Sequence, residues 1–229
     1  MSIAQNLADI QKRIAAAARR AGRDPGGIRL VAVSKTVPVE RLKEAVAAGQ
    51  RLFGENYLQE ARPKIAALGE EITWHFVGGL QTKKAKAAAG LFALIHSVDR
   101  LKLAQALNQA AAQAGRVQDI LLQVNLVGEA SKSGAAPEDA ADLLKEIGRL
   151  DHLRVLGLMT MPPWFADPER VRPYFRALRE LRDYLRSLHL TDSDLPELSM
   201  GMSGDFEAAI EEGATLVRVG SAIFGERPR

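Results

Sequence analysis

Apolar residues in this chain follow two alternating spacings. Ile3, Leu7, Ile10 and Ile14 recur at helical intervals and predict an opening helix over 2–22. After it, short continuous apolar runs alternate with segments of helical spacing. The runs at 30–34, 51–53, 73–77, 92–96, 119–125, 154–159, 197–200 and 216–219 predict eight strands. A helix from Pro38 to Gly49 follows the first strand, with Val39, Leu42 and Val46 on one face, and another covers 58–68. Further helices open at Asp99 and near Pro137. A long one carries the stripe Val171, Phe175, Leu178, Leu181, Leu185 and Leu188. A helix over 203–212 and a short terminal helix complete the series. Continuous runs suit parallel strands buried on both faces. Eight βα units in 229 residues predict a (β/α)8 TIM barrel, a single domain over 1–229 with the opening helix as an addition. An open doubly wound sheet would want a Gly-rich fingerprint after its first strand, where this chain reads Ser34-Lys35-Thr36.

Composition narrows the class. Hydrophobic residues make up 47% of the chain and charged residues 26%, enough apolar material for a sizeable core. No apolar run reaches the roughly 18 residues of a membrane span. The start, Met1-Ser2-Ile3-Ala4-Gln5, has no basic segment before an apolar stretch, so no signal peptide is expected. The absence of cysteine excludes disulfides, cysteine nucleophiles and thiolate metal sites, and fits a cytoplasmic protein. Net charge is only +3. The densest basic cluster, Lys83-Lys84-Ala85-Lys86, lacks interleaved aromatics and reads as a solvated helix face rather than a nucleic-acid surface. His75, His96, His152 and His189 are scattered without short spacing, so no metal site is expected.

The chemistry lies at the strand ends, where barrels of this kind build their sites. Lys35 ends the first strand, after Leu30-Val31-Ala32-Val33-Ser34. A lysine held at an apolar mouth is desolvated, which favours the neutral amine that attacks carbonyls to form Schiff bases. Strand eight runs into Gly220-Ser221-Ala222, at the place where barrels often cradle phosphate, and no acid follows until Glu226. The plainer reading of Ser221 is a helix N-cap. Ser203 reads as the N-cap of its own helix, and the backbone of Ser199-Met200-Gly201 can add to the phosphate site. Arg218 stands between valines. If it points inward it needs a partner, either a ring nitrogen of a cofactor or a carboxylate such as Glu55. His75 lies between Trp74 and Phe76 and reads first as a satisfied core histidine. Tyr57, Met159 and Met161 can line a pocket or simply pack. A Schiff-base lysine, a phosphate cradle and an arginine in one barrel point to pyridoxal 5′-phosphate (PLP). A Schiff-base aldolase acting on a sugar phosphate would use Lys35 as well.

Several motifs together carry a resemblance. They are Ala32-Val33-Ser34-Lys35, Phe53-Gly54-Glu55-Asn56-Tyr57, the segment Trp74 to Gln81, Val124-Asn125 with the segment Gly128 to Gly134, Gly157-Leu158-Met159-Thr160, Leu198-Ser199-Met200-Gly201-Met202-Ser203, and the segment Val217 to Gly225. Over residues 5–226 the chain resembles the pyridoxal phosphate homeostasis proteins, whose fold matches the N-terminal barrel of bacterial alanine racemase. The resemblance implies that Lys35 carries PLP, Arg218 faces the pyridine nitrogen, Asn56 lies in the cofactor pocket, and Ser199, Gly220 and Ser221 lie near the phosphate. His75, Met159 and Met200 join these as cofactor-site candidates, and no residue is assigned a catalytic role. Lys83 stands where the family usually has asparagine. The implied role is intracellular PLP homeostasis by a monomeric carrier without turnover of its own, with PLP-dependent apo-enzymes as recipients. An arginine, a permanent cation, cannot stabilise a protonated pyridine nitrogen, which makes the cofactor a poor electron sink. Related racemases share this arginine and add a further domain. Here ten residues follow Val219, so an open mouth is expected. The alternative is a PLP-dependent racemase or decarboxylase acting alone. Lys132 and the basic loop at Lys83–Lys86 are candidates for a second, surface PLP site.

Overall fold

The computed structural model describes residues 2–128 and 133–226. Helix α1 (Ile3–Arg20) opens on a capping box: the Ser2 hydroxyl accepts the Gln5 N–H and the Gln5 side chain accepts the Ser2 N–H. Then β1 (Arg29–Val33), α2 (Val39–Ala47), β2 (Leu52–Glu55), α3 (Leu58–Leu68), β3 (Thr73–Phe76) and α4 (Ala85–Ala88) follow. Next come β4 (Leu94–Val98), α5 (Leu101–Gln113), β5 (Gln118–Gln123), α6 (Ala140–Ile147) and β6 (Leu153–Met159). The chain continues with α7 (Arg172–Ser187), β7 (Glu197–Ser199), α8 (Phe206–Glu211), β8 (Leu216–Val219) and α9 (Ser221–Phe224). The strands form a closed parallel barrel in chain order, and β8 pairs with β1 so that Leu30 lies opposite Val217 and Val31 opposite Arg218.

The continuous apolar runs divide into two cores. Alternate residues of each strand face outward to the helices, among them Leu30, Ala32, Phe53, Trp74, Phe76, Ile95, Leu198 and Val217. The others face the barrel axis, where Val31, Val77, Leu94, Leu121, Met159 and Leu216 pack together, with Val33 at their edge. Such runs therefore report burial on both faces without saying which residue takes which face. Helix α1 buries Ile3, Leu7, Ile10, Ile14, Ala17 and Ala18 and packs against α2, α8 and α9. Arg13 pairs with Glu207 and Arg20 with Glu211 along that seam.

Several expected boundaries move. Strand β4 begins at Leu94 rather than 92, because Phe92 packs from the preceding turn against Phe76, ring centres 5.1 Å apart. Strand β2 runs two residues further than expected, to Glu55, whose buried carboxylate finds partners that keep it in the ladder. Helix α8 begins at Phe206, so Ser203 is not its N-cap. Asp205 occupies that position and its carboxylate accepts the Met202 N–H. In the α7 stripe Phe175, Leu178 and Leu185 are buried, whereas Leu188 lies past the helix end and is exposed.

Candidate cofactor-binding site at the barrel mouth

Strand parity aims the first candidate. Val31 and Val33 face the axis, and Lys35, the next residue of that parity, enters a cavity of about 490 Å³ at the C-terminal ends of the strands. Val33 and Val77 form its floor. Asn56 after β2, Arg218 in β8, and Gly220 and Ser221 after β8 join Lys35 in the walls. Met161 and Trp164 after β6 and Met202, Ser203 and Gly204 after β7 complete them. Trp164 is 76% exposed and leaves the mouth open to solvent. Five of the nine named candidates therefore meet in one cavity: Lys35, Asn56, Arg218, Gly220 and Ser221.

The other four do not line it. Met159 is buried below, in the axial core with Val31 and Leu216. Met200 follows the inward Ser199 and so faces outward, into the core under the helices. Ser199 and His75 point inward but lie beneath Arg218. The expectation that these four join the cavity wall is thus not met by its lining. Tyr57 is exposed and absent from the lining, while Met161 is part of it. Lys83 and Lys86 are exposed on the outer surface, and Lys132 lies outside the described residues.

Arg218 is only 4% exposed. Its Nη1 donates to Ser199 Oγ at 2.6 Å and its Nη2 to the Thr160 carbonyl at 2.9 Å. Burial pushes the guanidinium down to about 10, with Asp205 opposing the shift, so it stays cationic near neutrality. The carboxylate partner anticipated in Glu55 is absent, because Glu55 binds Ser34 and Lys64 instead.

The polar line continues below Arg218. Ser199 Oγ lies 2.8 Å from His96 Nδ1, and His96 Nε2 lies 3.0 Å from His75 Nδ1. An arginine only donates, so Ser199 accepts from it and turns its own hydrogen to His96 Nδ1. His96 then carries its proton on Nε2 and donates to His75 Nδ1. Burial holds both imidazoles neutral, His75 at about 3 and His96 well below its ordinary value, and each neighbouring cation adds to this. His75 is the satisfied core histidine expected from its strand position.

At the other side of the cavity, Ser203 Oγ meets the start of α9. It accepts from the Gly220 N–H at 3.4 Å and the Ala222 N–H at 3.4 Å, and lies 3.1 Å from Ser221 Oγ. Three donors converge on one oxygen at the start of α9. Asn56 presents a different opportunity: its Oδ1 is buried and has no hydrogen-bond partner. Gly78 lets the loop after β2 come this close, because a Cβ there would stand 2.3 Å from the Asn56 carbonyl oxygen. Sequence reasoning missed Ser203, Met202, Gly204 and Trp164 as wall residues. The Met202-Ser203-Gly204 segment carried a signal in its small residues at a strand end, but a helix-cap explanation absorbed it.

The barrel and this site define a class, the alanine-racemase-like barrels: residues 5–228 match the family of the alanine racemase, N-terminal domain. A pyridoxal phosphate homeostasis protein of Aquifex aeolicus is 47% identical over 228 residues, covering 99% of both chains. One of Pseudomonas aeruginosa is 49% identical over 227 residues, covering 99% of this chain and 96% of its own. The structure of PipY from Synechococcus elongatus with PLP bound matches with a TM-score of 0.86 and 37% identity, covering 98% of this chain and 100% of that one. This chain belongs to the pyridoxal phosphate homeostasis protein family.

Proposed function

We propose that this protein binds PLP at the barrel mouth, holds it as a Schiff base on Lys35, and serves intracellular PLP homeostasis without turnover of its own. The observation that carries the reading is the meeting of Lys35, buried Arg218 and the three-donor cradle of Gly220, Ser221 and Ala222 around one cavity. The residues fit the group. The cradle already satisfies one oxygen, that of Ser203, and suits a phosphate. The unpartnered Asn56 Oδ1 would accept from a donor of a bound group, and its amide N–H can donate to the ring oxygen. Arg218, anchored by Ser199 and Thr160, would be the cation available to the ring nitrogen. When bound, PLP supplies an aldehyde that a lysine amine captures reversibly with loss of water.

Two features support a carrier over an enzyme. Arg218 stays charged, so a ring nitrogen facing it would remain unprotonated and would stabilise carbanions poorly. The mouth, with Trp164 exposed, gives little exclusion of water. The relatives are named for homeostasis, and the PipY structure was solved with PLP. Cytoplasmic PLP-dependent apo-enzymes are the recipients in this reading.

The test is a visible absorption spectrum of the purified protein with PLP, then borohydride reduction and peptide mapping. The expected result is a yellow protein with one phosphopyridoxyl group on Lys35, lost in Lys35→Ala. An unchanged spectrum and affinity in Lys35→Ala overturn the anchor. Sustained racemisation or decarboxylation of amino acids by the purified protein overturns the carrier role.

A further inference from the structure

The segment Ser34-Lys35-Thr36 is gripped on both sides of the lysine by side chains of α3. Before the lysine, Lys64 Nζ donates to the Ser34 carbonyl at 2.7 Å and to Glu55 Oε1 at 2.7 Å. Ser34 Oγ donates to the same carboxylate oxygen at 2.6 Å. Glu55 and Lys64 are both buried, so this side is a fixed base. After the lysine, the Thr36 N–H donates to Glu60 Oε2 at 2.7 Å. Glu60 and Lys64 are one helical turn apart, and Lys64 Nζ lies 3.4 Å from Glu60 Oε2.

Thr36 explains why a second grip is needed. Its φ is +62°, in the left-handed region. A β-branched residue there is strained and persists only where its surroundings impose the conformation. The turn is closed by the Val37 N–H, which donates to the Ser34 carbonyl at 3.0 Å, and the Glu60 carboxylate takes the remaining backbone donor, the Thr36 N–H, with the strength of a charge-assisted bond. Strand β1 ends at Val33, and the reversal at Thr36, two residues past Ser34, lets the chain leave the barrel rim for α2.

We infer that Glu60 is a positioning residue for Lys35: by holding Thr36 left-handed it fixes where the lysine amine enters the cavity. This rests on Lys35 being the PLP anchor. Without Glu60 the chain can relax at Thr36, and the amine samples positions away from the bound aldehyde. Displacements of about 1 Å cost roughly 10²-fold in rate in reactions that depend on such alignment. Glu60 does not line the cavity, so its effect on Lys35 runs through the backbone.

The experiment measures how fast added PLP becomes trapped on Lys35 under pulses of borohydride, using the full chain. Thermal melts run in parallel to confirm that each variant is folded. Glu60→Ala is expected to slow trapping about tenfold. Glu60→Gln, which keeps an acceptor, recovers most of the rate. Thr36→Gly in the Glu60→Ala background also recovers it, because glycine adopts positive φ without help. Equal rates in wild type and Glu60→Ala overturn the inference while leaving the anchor intact. So does a slowed Glu60→Ala that Thr36→Gly fails to restore, since a general structural loss would behave that way. A wild type with no adduct on Lys35 overturns the proposed function and, with it, this inference.

Discussion

Single residues at this site matter through the state their surroundings impose. The clearest case is the pair of axial histidines. His75 accepts from His96 and must stay neutral, and its folded-state value of about 3 lies below the ordinary value of 6.5. Between those two values the unfolded chain binds a proton that the folded chain does not. Stability is therefore full above about pH 6.5 and falls as the pH drops toward 3, by about 1.4 kcal/mol per pH unit for this one group. His75→Gln keeps an acceptor for His96 and cannot charge. Urea denaturation of the two proteins at pH 6.5 and pH 5 checks this: wild type should lose more stability between them than the variant. A parallel loss in both would show that His75 is not buried neutral.

At the scale of elements, two loops meet because one residue has no side chain. The chain after β3 passes so near the turn after β2 that a Cβ on Gly78 would lie 2.3 Å from the Asn56 carbonyl oxygen and 2.7 Å from its Cα. Those are backbone atoms, which cannot swing aside. Gly78→Ala is expected to cost about 1–3 kcal/mol and to displace Asn56 from the cavity wall. Chemical denaturation together with PLP titration measures both effects. A variant as stable as wild type, with unchanged affinity, would mean the loops have slack that the geometry does not show. Elements also explain which candidates were legible. Lys35, Arg218 and Gly220-Ser221 stand out because each breaks an apolar run or ends it. Ser203 did not stand out, because a serine shortly before a helix has a sufficient local explanation. Only the approach of the loops after β7 and β8 turns it toward Gly220 and Ala222.

For the whole molecule, barrel closure and α1 act together. Helix α1 covers α8 and α9, and α9 begins at Ser221 in the cavity wall. The Asn6 side chain donates to the Ile223 carbonyl at 2.8 Å and ties the first helix to the last. Ile10→Ala in this seam should cost about 2–5 kcal/mol, as for other large-to-small changes in a close-packed core. Its denaturation midpoint should shift with the slope unchanged. A shift equivalent to less than about 0.5 kcal/mol, the size of a typical surface change, would mean that α1 is only loosely docked.

The sequence by itself determined the number and order of the strands, their parallel arrangement and the residues that break their apolar runs. Those properties are local: period, length and punctuation are written in consecutive residues. Tertiary structure alone decided which residues of each run face the axis, because in a doubly buried strand both faces are apolar and the alternation vanishes. It placed Met159 and Met200 away from the cavity and set Ser199 beneath Arg218 rather than in the wall. It also joined His96 to Ser199 across 103 positions of chain and Glu60 to Thr36 across 24. Such pairs exist only once the barrel has closed, since nothing in the spacing of residues along the chain specifies which strand ends will face one another around the mouth.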